Sequence, residues 1–242
     1  MPPLVLLHPF PLDATAWEPL LDALAWRGPV IAPDFPGFGG AAPEPAPTIE
    51  RFAETVAGLI DPGRSALVVG LSMGGYTALA LALRHPDRVG ALALACTRAD
   101  ADDEGARAGR ERGIATVRAE GRDAFVEGML PRLLAPDAAP EVVARTRAIG
   151  RRQPPEAIVA ALGALRDRPD RSGDLAAIGA PTLVIAGAQD AVVPAAATRA
   201  LAAGLPRGRL AIVEGAGHLC PLEQPAVVAP LLRGLAAALP GD

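Results

Sequence analysis

The densest chemical signal in this 242-residue chain is Gly70-Leu71-Ser72-Met73-Gly74-Gly75. It follows directly on the apolar run Ala66 to Val69 and opens a helical stretch. A serine on a tight strand-to-helix turn needs small neighbours, because a flanking Cβ would clash, and such a turn leaves its hydroxyl standing clear of a sheet. The helix start adds free backbone N–H groups. With three serines and 26 glycines in the chain, a shuffled sequence would show the Gly-x-Ser-x-Gly spacing about 0.03 times. The bland alternative is a glycine turn holding an ordinary serine; the strand before it and the helix after it favour a nucleophile.

A serine hydroxyl attacks carbonyl carbon only when a base removes its proton and a carboxylate orients that base. Three histidines compete for the role: His8, His85 and His218. His85 stands in Arg84-His85-Pro86-Asp87, where a helix ends ahead of a proline, a common structural place for a histidine, and it receives no catalytic assignment. His218, in Gly215-Ala216-Gly217-His218, lies in a loop after the last strand-like run, where open parallel sheets place ligand-contacting groups. It is the candidate base. Asp190, in Gly187-Ala188-Gln189-Asp190, follows another strand-like run and is the candidate third member, against the alternative of a plain turn aspartate. Asp167, Asp170 and Asp174 have no preceding strand to aim them. Developing negative charge needs N–H donors, and the candidates are the backbone of Met73 and of Phe10 in His8-Pro9-Phe10-Pro11. Expected pocket walls are Phe10, Met73, Val192 and Leu219, with Phe125, Met129 and Leu130 from a helical stretch, although methionine and phenylalanine at helical spacing serve equally as plain core.

These residues require a scaffold, and six short apolar runs supply it: Leu4 to Leu7, Val30 to Ala32, Ala66 to Val69, Ala91 to Ala95, Thr182 to Ala186 and Leu210 to Val213. Several are too apolar to alternate, as strands covered on both faces are. Helical spacing fills the gaps at Thr15 to Ala25, Ile49 to Ile60 with Thr48 as N-cap, Gly74 to Arg84, Ala195 to Leu205 and Ala226 to Leu239. The expected class is α/β, with a mostly parallel six-stranded central sheet flanked by helices. Between Thr97 and Asp174 the strand signal stops, and four amphipathic stretches follow, near Gly105 to Val117, Arg122 to Leu134, Pro140 to Gly150 and Glu156 to Arg166. A helical cap over residues 97–174 is therefore expected, inserted into a core formed by residues 1–96 and 175–242.

Composition excludes several other classes. Every one of the 23 basic residues is arginine, and the net charge is −4; without lysine there is no Schiff-base chemistry and no lysine-bearing phosphate loop. The densest basic spots, Arg107, Arg110 and Arg112 and the pair Arg151-Arg152, lack interleaved aromatics and read as solvated helix faces, so no nucleic-acid partner is expected. Cys96, Cys220 and the histidines show no ligand spacing, and no metal or cofactor is expected. Cys220, near His218, reads as a small buried thiol. No run is long and apolar enough to span a bilayer, and no signal peptide is visible at Met1-Pro2-Pro3-Leu4, which together set a cytoplasmic, membrane-free expectation, as monomer or homodimer.

Taken together, His8-Pro9-Phe10, Asp34-Phe35-Pro36-Gly37-Phe38-Gly39, the Ser72 block, Gly187-Ala188-Gln189-Asp190 and Gly215-Ala216-Gly217-His218 resemble the α/β-hydrolase superfamily over the whole chain. Within it the chain looks most like small capped bacterial carboxylesterases and 3-oxoadipate enol-lactonases. The resemblance implies the chain order Ser, Asp, His for the catalytic residues, a helical cap, no cofactor, and a small ester or lactone as substrate. It departs from the family at Pro9, where members usually carry glycine, and since it opens on the strand before that loop, the antiparallel N-terminal strands of larger members are expected to be missing and the sheet to be smaller. Two further readings stand beside hydrolysis: perhydrolase or haloperoxidase-like transfer of the acyl group to peroxide on the same residues, and a non-catalytic module binding a small ligand. Haloalkane dehalogenase chemistry in its usual form would need an aspartate where Ser72 stands.

Overall fold

The computed structural model describes residues 1–237 and 239. Six strands form one sheet in the order β2-β1-β3-β4-β5-β6, every neighbouring pair parallel. They are β1 Leu4–Leu7, β2 Val30–Ile31, β3 Ala66–Leu71, β4 Val89–Ala95, β5 Thr182–Gly187 and β6 Gly208–Val213. The four residues of β1 are all buried, and they feed two layers in alternation. Val5 and Leu7 pack with Phe35, Phe52 and Leu79 on one face; Leu4 and Leu6 pack with Trp17, Leu20 and Leu232 on the other. A strand covered on both faces can be apolar throughout, which is why these runs lack a polar alternation. At the edge, β6 is only partly buried.

Helices α1 Glu18–Leu24, α2 Ile49–Leu59, α3 Met73–Arg84, α7 Ala195–Gly204 and α8 Pro225–Ala236 cover the sheet. Thr48 caps α2, its hydroxyl accepting the Arg51 N–H at 3.2 Å. The predicted last helix ends three residues early, at Ala236, and its position 238 lies outside the described residues. Between β4 and β5 run α4 Glu104–Leu133, α5 Pro140–Arg152 and α6 Pro155–Arg166. The first two amphipathic stretches join into α4, which breaks direction at Gly121 (φ 88°, ψ 167°), a conformation that suits glycine.

These inserted helices are tied to the loops of the sheet. The Asp13 carboxylate, 1 % exposed, accepts both arms of the Arg152 guanidinium at 2.7 and 2.8 Å and the Gln153 side-chain amide at 2.6 Å. Gln153 Oε1 accepts the Gly39 N–H at 2.9 Å. The Arg152 side chain stays half exposed, as the sequence reading of a solvated face has it, while its guanidinium reaches the buried Asp13 carboxylate. Burial pushes the Asp13 carboxyl up, but the bonds from Arg152, Thr15 and Gln153 outweigh it and hold it down at about 2.

Candidate active site

The chain crosses from β1 to β2 in one direction and to β3 in the other, so a crevice opens at the carboxyl ends of β1 and β3. Ser72 sits there, between the end of β3 and the start of α3, with φ 54° and ψ −110°. A non-glycine residue in that region is strained, and the surroundings hold it in place. Its N–H donates to Ala95 O at 2.9 Å, and its carbonyl accepts the Thr97 hydroxyl at 3.0 Å. The glycines allow the turn to press against the sheet: a Cβ on Gly74 would lie 2.0 Å from Leu7 O, and one on Gly70 would lie 2.3 Å from Gly74 O.

His218 reaches Ser72 from the loop after β6. Its Nε2 is 2.8 Å from Ser72 Oγ, and its Nδ1 is 3.0 Å from both carboxylate oxygens of Asp190. The imidazole is 1 % exposed. With Nδ1 donating to a carboxylate, Nε2 is left as the acceptor of the serine proton. Asp190 Oδ1 also accepts the N–H groups of Val192 at 2.8 Å and Val193 at 3.0 Å. Burial raises the Asp190 carboxyl, yet His218 and these two N–H groups together hold it below the ordinary carboxylate range. The three residues separated by 28 and 146 positions are thus in hydrogen-bond contact in the order Asp, His, Ser.

The N–H of Met73 opens α3, and that of Phe10 follows β1; neither donates a hydrogen bond within the described residues. The Phe10 loop is fixed by His8, fully buried, whose Nε2 accepts the Phe35 N–H at 3.0 Å while its Nδ1 faces Pro9 O at 3.1 Å. Burial lowers the His8 imidazole to about 4, so it is neutral at pH 7.

A cavity of about 310 Å³ lies beside these groups, lined by Phe10, Phe125, Met129 and Val192 among the residues expected from the sequence. Leu130 and Leu219 do not line it. Both pack into the core layer that contains Trp17, and the Leu219 N–H donates to Leu133 O at 3.1 Å; helical spacing cannot tell a cavity face from a core face. Met73 is likewise fully buried. The arginines Arg98, Arg110, Arg112 and Arg132 also line the cavity; Arg112 is exposed, as the solvated face read from the sequence has it, and Arg110 is half-buried. His85 is remote from the site and meets Glu54 Oε2 at 2.9 Å.

Sequence reasoning also misses Glu223. Its two carboxylate oxygens accept the N–H groups of Gly217 and Ala135, bracing the loop that carries His218. Cys96 and Cys220 are buried with their sulfurs 3.4 Å apart, a pairing across 124 positions that no local pattern announces. Among the described residues, the one group of histidine, cysteine and acidic atoms close enough to hold a metal ion is Cys96, Asp190 and His218, within 4.8 Å of one another. There the imidazole and carboxylate are already bonded to each other.

Such a sheet, with a strained serine after its third strand and a histidine after its last, has the architecture of the α/β hydrolases. The chain belongs to the alpha/beta hydrolase family, whose model matches residues 4–231. It is 34 % identical over 246 residues to the pimeloyl-[acyl-carrier protein] methyl ester esterase of Aromatoleum aromaticum, covering 96 % of this chain and 97 % of that one. Among solved structures, a thermophilic esterase from Thermogutta terrifontis with malate bound is 37 % identical with a TM-score of 0.92, over 98 % of this chain and 90 % of that one. The enol-lactonase of Burkholderia xenovorans LB400 is 30 % identical with a TM-score of 0.88, over 98 % and 91 %. Among the described residues no helix is long and apolar enough to cross a membrane.

Proposed function

We propose that this chain is a serine hydrolase that cleaves a small carboxylic ester or lactone through an acyl-enzyme on Ser72. The observation that carries the reading is the relay from Asp190 through His218 to Ser72 Oγ, at 3.0 and 2.8 Å. His218 Nε2 takes the hydroxyl proton as Ser72 Oγ attacks the carbonyl carbon. Asp190 keeps the imidazole in the tautomer with Nδ1 protonated and stabilises the imidazolium that forms. The Met73 and Phe10 N–H groups receive the oxyanion. His218 then returns the proton to the departing alcohol, water enters, and the same imidazole activates it to release the acid.

The names of the relatives support esters first: methyl ester esterase for the curated protein, and esterase for the Thermogutta terrifontis structure. The enol-lactonase likeness supports cyclic esters as the second arm. The helices α4 to α6 serve in this reading as the cap over residues 97–174, and the cavity beside Phe10 takes the substrate. The test is hydrolysis of p-nitrophenyl esters from acetate to decanoate, with a lactone panel, by the native protein and by Ser72→Ala. Turnover that disappears in the variant supports the reading; a native protein that turns over none of these compounds overturns it.

A further inference from the structure

The cavity that Phe10 and Val192 line combines two unlike chemistries. Phe10 carries a candidate oxyanion donor and the Val192 N–H binds the Asp190 carboxylate, while Arg98, Arg110, Arg112 and Arg132 line the same cavity together with an apolar floor of Phe125 and Met129. Asp102 is the single acid among the lining residues. Its buried carboxylate is already shared among Arg110 at 3.0 Å, Arg98 at 3.7 Å and the buried Arg168. Asp100 takes a further part of Arg98 at 3.4 Å. Arg112 and Arg132 have no hydrogen-bond or ion-pair partner among the described residues.

With Asp100 and Asp102 occupied by Arg98, Arg110 and Arg168, the unpaired and solvent-exposed Arg112 and Arg132 leave surplus positive charge along the cavity wall. Guanidinium forks match the oxygens of carboxylate and phosphate groups through paired N–H donors. We propose that this arginine wall binds an anionic group, carboxylate or phosphate, on the same molecule whose ester lies at Ser72. The apolar floor would carry the carbon chain joining the two. The inference rests on the hydrolase reading for the placement of the ester, while the anion site itself stands on the arginines.

The test compares methyl monoesters of straight-chain dicarboxylic acids, succinate to suberate, with neutral methyl esters of equal length and with methyl esters bearing a terminal phosphate. At the best chain length an anionic ester is expected to exceed its neutral counterpart in kcat/KM by about tenfold or more, chiefly through KM, with the advantage shrinking as salt is added. In the double variant Arg112→Gln, Arg132→Gln the ratio should fall towards one. The carboxylate and phosphate arms identify the anion. Equal turnover of charged and neutral esters at every length overturns the proposal and leaves the hydrolase reading intact, as does a preference that survives the double substitution.

A binding measurement separates the two readings from the other side. Glutarate and inorganic phosphate are titrated into Ser72→Ala, with and without the arginine substitutions, by calorimetry. Binding of either anion that weakens at least about fivefold without Arg112 and Arg132 supports the site even in a protein that hydrolyses no ester. Absence of binding by both, or binding indifferent to the arginines, overturns it.

Discussion

Glu223 accepts the Ala135 N–H at 2.7 Å through Oε2, across 88 positions of sequence. Its Oε1 accepts the N–H of Gly217, the residue before His218, at 3.0 Å. One carboxylate therefore fastens the histidine loop to the segment that follows α4. Burial raises the Glu223 carboxyl above its ordinary value, and the N–H groups of Ala135, Gly217 and Leu219 offset only part of that rise. Glu223→Ala leaves two backbone donors without an acceptor, and we expect a loss of about 2–4 kcal/mol in stability. The fall in kcat should be larger than the change in KM, because the loop carrying His218, the proposed base, loses its brace. Glu223→Gln keeps one acceptor oxygen and should recover part of both. Urea denaturation and steady-state kinetics on the same preparations check this.

The backbone of Ser72 gives a second expectation. At φ 54° and ψ −110° it occupies a region that costs a residue with a Cβ roughly 1–3 kcal/mol. Glycine adopts it freely but loses more chain entropy on folding, which takes back part of the gain. Ser72→Gly should therefore be more stable than Ser72→Ala by about 1 kcal/mol, both having lost the hydroxyl. Thermal and urea midpoints of the two variants compare them directly. Equal stability would mean that the turn is not strained.

Much of this architecture is legible in the sequence, and the reason is burial on both sides of the sheet. Leu4 to Leu7 can be read as a strand without any knowledge of its neighbours, because both faces are covered. The edge strand β6 begins at Gly208, two positions before its apolar run, since Arg209 faces solvent and carries no hydrophobic signal. Ser72, Asp190 and His218 are legible because each follows a strand within a few residues, and parallel strands deliver their carboxyl ends to one edge. Glu223 has no such signal: an acid five residues past a histidine has no periodicity to reveal what it accepts. Arg112 is exposed, as the solvated face read from the sequence requires, but nothing in the sequence shows that Arg110 and Arg112 border a cavity. An arginine face on α4 has the same spacing whether it looks onto bulk water or into a cavity, and only the position of α4 over the sheet distinguishes them.

His8 links the Phe10 loop to acid stability. Its imidazole is held at about 4 against an ordinary value of 6.5, so between those pH values the unfolded chain takes up a proton that the folded protein refuses. The unfolded state then binds more protons, and stability rises with pH across this window. The contribution is complete above pH 6.5 and is lost on acidification towards pH 4, amounting to about 3 kcal/mol for this buried group. His8→Gln can still accept the Phe35 N–H but cannot titrate, so its stability should change less over the same range. Urea unfolding of both proteins at steps from pH 7 to pH 4 measures the difference. Parallel profiles would assign the acid sensitivity to other groups.

The most direct test of the serine relay is covalent. The native protein is incubated with paraoxon and followed by intact and peptide mass spectrometry, alongside His218→Ala. We predict one diethylphosphoryl group per chain, on the peptide carrying Ser72, with labelling slowed by about a thousandfold or more in the histidine variant. No adduct, an adduct on Ser65 or Ser172, or labelling of Ser72 at an unchanged rate without His218 would contradict the assignment of Ser72 as nucleophile and His218 as its base.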